Sequence, residues 1–411
     1  MSVLAPLAPY RSILALPRVR SLVLVTLLAR IPVGAASVAL TLHVVLSLRG
    51  GYGAAGAVGA ALTVGGAVGA PLMGRTTDRH GLRRTLLVTT LAQGAFWLVA
   101  PTLPYVLLVP AALFGGLLSL PLFSVSRQSL AALVPEDRRR TAYSLDSMAV
   151  EVSYMVGPAG GVLLATQLST RLALLAIGAS MLLSGLLLYL LDPPVRSEAE
   201  LRQAEGQAPT PRREWINDRL VVVLVASMGA TLVLSGTDIG IVATLRHAGE
   251  LKWSGLVIAI WCCWSLAGGF IHGSLPRSLP AMTLMELLCV LTIPVGLATH
   301  WWALALALIP AGLMCAPTIA ATGEVVSRLA PAVVRGEAMG LHGSALTAGL
   351  AVGAPLVGVV VDRSSPAMGF VVAGAAGALL GLLGVVAGRG WPATGSARRQ
   401  QKGGSPPVRI E

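Results

Sequence analysis

The chain has 411 residues, of which 55% are hydrophobic and 12% charged, with a mean hydropathy of +0.77 and a formal charge of +12. This composition excludes an ordinary soluble globule and fits a chain that crosses a bilayer many times. The positive charge does not indicate nucleic acid, because it falls in short clusters between apolar runs and no basic stripe is interleaved with aromatics.

Twelve apolar runs, each near the roughly twenty residues needed to cross a bilayer, are read at 21–47, 53–74, 84–102, 104–127, 142–166, 170–191, 219–245, 253–275, 280–299, 301–327, 337–361 and 367–388. The run after Arg20 is too long for a cleaved leader and ends in no small-residue cleavage site, so it is expected to be the first transmembrane helix. Basic residues alternate from loop to loop. Arg11, Arg18 and Arg20 precede the first run, Arg75 to Arg84 follow the second, Arg138 to Arg140 the fourth and Arg335 the tenth. The opposite loops hold little more than Arg49, Arg171, Arg246, Lys252 and Arg363. Arginine-rich loops resist translocation, so the expectation is a multi-pass plasma (inner) membrane protein with both termini cytoplasmic.

One long polar break, 192–218, carries Pro193, Pro194, Pro209 and Pro211 around a Glu/Arg/Gln run. It is expected to be a flexible cytoplasmic linker, with Glu198 to Glu205 able to form a short surface helix. It separates a six-helix half at 1–191 from a second at 219–388, and the Gly-, Pro- and Arg-rich segment 389–411 is expected to be a disordered cytoplasmic tail. The halves repeat one another. Pro121 and Pro135 recur as Pro317 and Pro331, since 317 − 121 and 331 − 135 both equal 196, and the same offset pairs Arg139 with Arg335, Leu145 with Leu341 and Gly157 with Gly353. Parallel duplicated halves are what a transporter rocking about a central site needs.

The most charged stretch joins runs two and three: Gly74-Arg75-Thr76-Thr77-Asp78-Arg79-His80-Gly81-Leu82-Arg83-Arg84. Gly74 and Gly81 would permit a sharp helix exit and reversal. Asp78 can accept from neighbouring arginines or from the amides of a helix N-terminus. The stretch resembles a signature of the major facilitator superfamily: Gly, three residues, Asp, a basic residue, any residue, Gly, any residue, two basic residues. Gly74, Asp78, Arg79, Gly81, Arg83 and Arg84 fill every place. The resemblance implies an all-α membrane protein of twelve transmembrane helices in two pseudo-symmetric six-helix halves, expected to be a monomer, with this stretch at a cytoplasmic gate.

Ionisable groups inside a bilayer cost about 2.5–3.5 kcal/mol each even on the lenient insertion scale, so they rank first as site candidates. Arg30 lies about ten residues into the first run. In the fifth, Asp146 is about one turn from the cytoplasmic end, placed to reach the arginine-rich loops in a gating role, while Glu151 is deeper and shares a helical face with Ser147, Tyr154 and Pro158. Glu151 is suited either to handling a proton or substrate or to pairing with Arg30 or Arg127. Asp238 is an isolated acid in the seventh run. Arg127, near the inner end of the fourth, is expected to anchor to Asp78 or to an acid of the fifth. Glu324 and Arg328 are four apart and can pair within one helix. His43, His272 and His342 are expected to play packing roles.

Gly157-Pro158-Ala159-Gly160-Gly161 is expected to loosen or kink the fifth helix. It partly resembles the glycine-proline signature of the superfamily's drug–proton antiporters, although Val162 stands where that signature has a glycine. Ala29-Arg30-Ile31-Pro32-Val33-Gly34, Ala142 to Ser147 and Asp238-Ile239-Gly240 resemble actinobacterial superfamily members labelled efflux permeases. The four cysteines all fall in apolar runs and point to neither disulfide nor metal. No phosphate-binding Gly-x-x-x-x-Gly-Lys-Ser/Thr loop is present. The expectation is a secondary transporter and not an enzyme, needing no cofactor beyond a proton gradient and exporting a small organic or drug-like molecule. The alternative is nutrient uptake by proton symport or facilitated diffusion.

Overall fold

The computed structural model describes residues 7–16, 18–204, 211–275 and 277–389, so the tail beyond Arg389 lies outside the described residues. Among them all regular structure is helical. A short helix α1 (Ala8–Leu14) precedes α2 (Val19–Leu42), α3 (Tyr52–His80), α4 (Leu82–Val99), α5 (Tyr105–Leu117), α6 (Leu122–Leu133), α7 (Arg139–Gln167) and α8 (Thr170–Leu191). Two short helices follow, α9 (Glu198–Ala204) and α10 (Arg212–Trp215). The chain continues through α11 (Asp218–His247), α12 (Ser254–Ser274), α13 (Ala281–Thr292), α14 (Trp301–Leu329), α15 (Arg335–Arg363) and α16 (Pro366–Arg389).

Eleven of the described helical stretches are long and apolar enough to cross a membrane, and Ala281–Leu297 is a shorter apolar helix that tightens into a 3₁₀ turn after Thr292. Helices are the outcome these runs dictate, because in hydrocarbon every backbone N–H and C=O must be satisfied within the segment. The ends are set locally. Ser169 Oγ accepts from Leu172 N at 3.1 Å at the start of α8, and Asn217 Oδ1 accepts from Leu220 N at 3.0 Å at the start of α11. Apolar side chains form two large cores, one including Leu86, Trp97, Leu108 and Leu174, the other Val257, Leu288, Leu308 and Phe370.

Two expectations about where helices end are corrected. The helix does not leave at Gly74; α3 continues to His80 and is broken only at Gly81, whose φ of +86° favours glycine. Gly74 serves another purpose, since a Cβ there would overlap the Gly336 carbonyl oxygen. Helix α7 extends across Gly157 and Pro158, and the glycine lets two backbones meet: a Cβ on Gly157 would lie 2.7 Å from Ile31 O and 3.0 Å from Gly34 Cα. The fourth run is two helices, α5 and α6, parted at Leu118–Pro121, whereas its repeat mate α14 is continuous across Pro317.

The described part of the linker is bolted down and not a bare tether. Arg196 donates to Asp78 O at 2.9 Å and Val333 O at 3.1 Å, Glu200 pairs with Arg335 at 2.7 Å, and Trp215 is buried beside Val326 and Met339. Charged side chains spread over distant segments make these bonds, which no local sequence pattern signals.

All of these ties lie at one end of the bundle, where the arginine clusters gather (the basic end). There α3 and α15 touch backbone to backbone, and a Cβ on Gly340 would also overlap Ala70 O. Tyr10 of α1 wedges in, donating to Gly269 O at 3.1 Å and Phe270 O at 3.0 Å and stacking on Phe270. Thr141 Oγ1 donates to Gly273 O at 2.6 Å, joining α7 to α12. At the opposite end Gly53 and Gly56 of α3 and Gly358 of α15 have nothing within 4 Å of where a Cβ would stand. The contacts between the two groups of helices described here thus gather at the basic end.

Candidate functional site

The seal has a floor, and the candidate residues lie in it or just above it. Asp146 and Glu151 are five residues apart on α7, which at about 100° per residue sets them about 140° apart around the helix. They consequently serve different neighbours. Asp146 is 2% exposed and does not reach the loops, contrary to expectation. Its Oδ1 accepts from Arg30 Nη2 at 2.7 Å and from Ser126 Oγ at 2.5 Å, and its Oδ2 from Arg127 Nε at 3.1 Å. One carboxylate thus holds two buried guanidiniums, the arrangement needed to keep such charges from standing uncompensated.

Arg127 is fully buried and crosses the seam. Its Nη1 meets His342 Nδ1 at 3.2 Å, its Nη2 donates to Ile319 O at 3.4 Å, and its guanidinium lies 4.0 Å over the Phe123 ring. Since arginine only donates, Nδ1 of His342 accepts and its Nε2–H is left to donate to Thr322 Oγ1 at 3.2 Å. His342 is therefore a bonding partner rather than a packing residue. His43 bonds Thr170 and His272 bonds Ser278, so neither of these is packing alone. Glu324 and Arg328 pair at 2.7 Å.

Glu151 pairs with neither arginine. It is half-buried, and its Oε1 accepts from Ser265 Oγ of α12 at 2.8 Å. Tyr154, one turn further along α7, is 58% exposed, and Asp238 of α11 is exposed. Asp238 lies within electrostatic reach of Glu151, and Tyr154 within reach of both Glu151 and Arg30. Glu151 and Tyr154 therefore lie one turn apart on α7, Arg30 is tied to Asp146 in the floor, and Asp238 stands on α11. An apolar groove of about 330 Å³ between α4 and α5, lined by Phe96, Leu103, Phe114 and Leu118 among others, holds none of them.

At the basic end Asp78 caps α15: Oδ1 accepts from Gly336 N at 3.0 Å and Oδ2 from Glu337 N at 2.8 Å, placing a carboxylate against a helix N-terminus. Glu337 in turn pairs with Arg212 and lies 3.9 Å from Arg75. Arg83 pairs with Asp192 at 3.0 Å, while Arg79 and Arg84 are exposed and take no part in these bonds. Gly157 and Gly161 bring α7 against α2, at Ile31, Gly34 and Ala35.

Residues 22–297 match the family model described as Major Facilitator Superfamily. The chain belongs to the major facilitator superfamily. It is accordingly a membrane transporter. The fold of this major facilitator is similar to that of the human organic anion transporter MFSD10 (TETRAN), with a TM-score of 0.70 at 17% identity over 90% of this chain and 99% of that one. It is equally similar to a bacterial homologue of the iron transporter ferroportin in an outward-facing state, with a TM-score of 0.70 at 16% identity over 91% and 100% of the two chains. The proton:xylose symporter XylE follows at 0.62 and 16%, over 89% and 94%. In sequence, a "Chloramphenicol resistance protein" of Streptomyces lividans is 29% identical over 240 residues, which is 56% of this chain and 60% of that protein's length.

The internal repeat of this major facilitator carried a signal that residue-by-residue reading missed. The 196-residue offset pairs Asp146 with His342, Ser126 with Thr322 and Arg127 with Gly323. Asp146 and His342 both bond Arg127, and Ser126 and Thr322 bond the two in turn. A Cβ on Gly323 would overlap Arg127 Nη1, so the vacant mate is what admits the guanidinium.

Proposed function

We propose that this transporter exports a small, partly apolar organic molecule in exchange for protons entering the cell, with the basic end in the cytoplasm and the structure in its outward-facing state. The observation that supports the reading is a pair of acids within membrane-spanning helices of different halves, Glu151 on α7 and Asp238 on α11, neither of which has an ion pair among the described residues. Intramembrane carboxylates without a basic partner of their own are expensive to keep ionised, so they suit a cycle that takes up and releases a proton. The orientation follows the arginine-rich loops. Export over uptake is favoured by the likeness to a resistance protein. Alternating access supplies the rest: the sealed basic end must part and the opposite end close to carry substrate across.

The test is proton flux in proteoliposomes, read with an internal pH dye, with chloramphenicol and a panel of cationic dyes as substrates. Addition of a substrate should dissipate an imposed gradient through the wild-type protein, and Glu151→Gln or Asp238→Asn should abolish this. Equal substrate movement with and without a gradient, unchanged in both variants, would replace exchange with facilitated diffusion.

A further inference from the structure

Glu151 reaches across the seam through one hydroxyl. Ser265 of α12 is buried, and its Oγ is used twice. It donates to Glu151 Oε1 at 2.8 Å and accepts from the N–H of Ala316 at 3.2 Å, immediately before Pro317 in α14. Because the Ala316 N–H occupies the acceptor side of the oxygen, the single hydroxyl proton is directed to the carboxylate. A three-part strut therefore runs from α7 through α12 to α14, from one helix group to the other. It lies directly above the contacts that seal the basic end, where a Cβ on Gly269 would lie 2.9 Å from Met148 Cγ and Thr141 bonds Gly273. That end cannot open without separating α7 from α12, and this separation breaks the strut.

We infer that Ser265 is the positioning residue that links the proton on Glu151 to the inner seal. This rests on the proton-coupled reading above and deepens it. A hydrogen bond to an ionised acceptor is about twice as strong as one to a neutral acceptor. Ionised Glu151 therefore holds α7 to α12 and loses a charge-stabilising donor when the seal parts. Neutral Glu151 lets go at smaller cost. A proton arriving from the open end thus releases the seal, and parting of the seal exposes that proton to the basic end, the direction that exchange requires. The other titratable or charged groups facing Glu151 are Tyr154 on α7, Asp238 on α11, Cys262 on α12 and Cys315 on α14. Arg30 on α2 is in reach of Tyr154 but is committed to Asp146. Among these groups, Ser265 is the one that bonds Glu151 and the opposite helix group at once.

The experiment is hydrogen–deuterium exchange of the full chain in lipid nanodiscs, followed at the α15 N-terminus and the α12 C-terminus from about pH 8 to about pH 5 and corrected for intrinsic exchange. In the wild type, protection should fall by about tenfold across the titration, the factor expected when a charge-assisted bond becomes a neutral one. Ser265→Ala should show low protection at every pH, Glu151→Gln should match it, and Ser265→Thr, which keeps the hydroxyl, should restore the pH-dependent fall. A Ser265→Ala variant with the wild-type pH profile overturns the inference while leaving proton coupling intact. A wild type with no pH dependence also overturns the inference, whereas proton coupling falls only if substrate movement in the flux assay is indifferent to the gradient.

Discussion

Asp146 is the residue whose loss should be felt most, and the structure sets the size of the effect. It accepts from three donors, at 2.7, 2.5 and 3.1 Å, and its side chain is 1% exposed. Asp146→Asn keeps the shape but removes the charge and one acceptor, turning an amide N–H₂ toward a guanidinium. The cluster of Arg30, Arg127 and Asp146 goes from one net positive charge to two in a buried site. Breaking a buried pair in this way costs about 3–5 kcal/mol. Arg30→Met should cost much less, under about 2 kcal/mol, because it leaves a balanced Arg127–Asp146 pair and removes Arg30 Nη1, a buried donor without a hydrogen-bond partner. The double variant returns the cluster to a single positive charge, so it should be more stable than Asp146→Asn alone. Unfolding of purified protein in detergent, followed by tryptophan fluorescence, would order the three. A double variant no more stable than the single, or Arg30→Met as damaging as Asp146→Asn, would refute the charge argument.

Two further outcomes follow from the basic end. In Gly336→Ala the new Cβ would lie 2.5 Å from Asp78 Oδ1 and 2.6 Å from Gly74 O, so the seal cannot close; exchange protection of Asp78's turn and the α15 N-terminus should fall by tenfold or more, roughly the value of a lost charge-assisted cap, whereas Gly343→Ala, with only Phe123 at 3.7 Å, should be silent. Burial works against ionisation of Glu200, but the Arg335 guanidinium and the Ser197 donors outweigh it and hold its carboxyl below the usual range. A depressed carboxyl contributes stability that is complete above the ordinary value of about 4.3 and is lost as pH falls through the depressed one, so linker protection should collapse only in that acid window, and Glu200→Gln should abolish the dependence.

The fold was legible because a bilayer enforces it: long apolar runs must be helices, and the signature at Gly74 to Arg84 names the superfamily. The shorter Ala281–Leu297 helix and the break at Leu118–Pro121 depend on local turns that hydropathy does not register. For the candidate site, depth along each helix could be counted, and counting identified Arg30, Glu151 and Asp238. Partners could not be assigned the same way. Direction around α7 sends Asp146 to both arginines and Glu151 to Ser265, and a serine in an apolar run carries no outward mark of a bond. The Glu200–Arg335 and Arg212–Glu337 ties join segments more than a hundred residues apart, where nothing local pairs one charge with another.

The glycine at 323 makes the two halves unequal partners. Two identical halves meeting about a two-fold axis would bring two copies of Arg127 to one place, each needing the space the other fills. One half carries the guanidinium and the other leaves it room. The halves are therefore not interchangeable: in a protein assembled from two copies of the first half, two guanidiniums would compete for one space at the basic end.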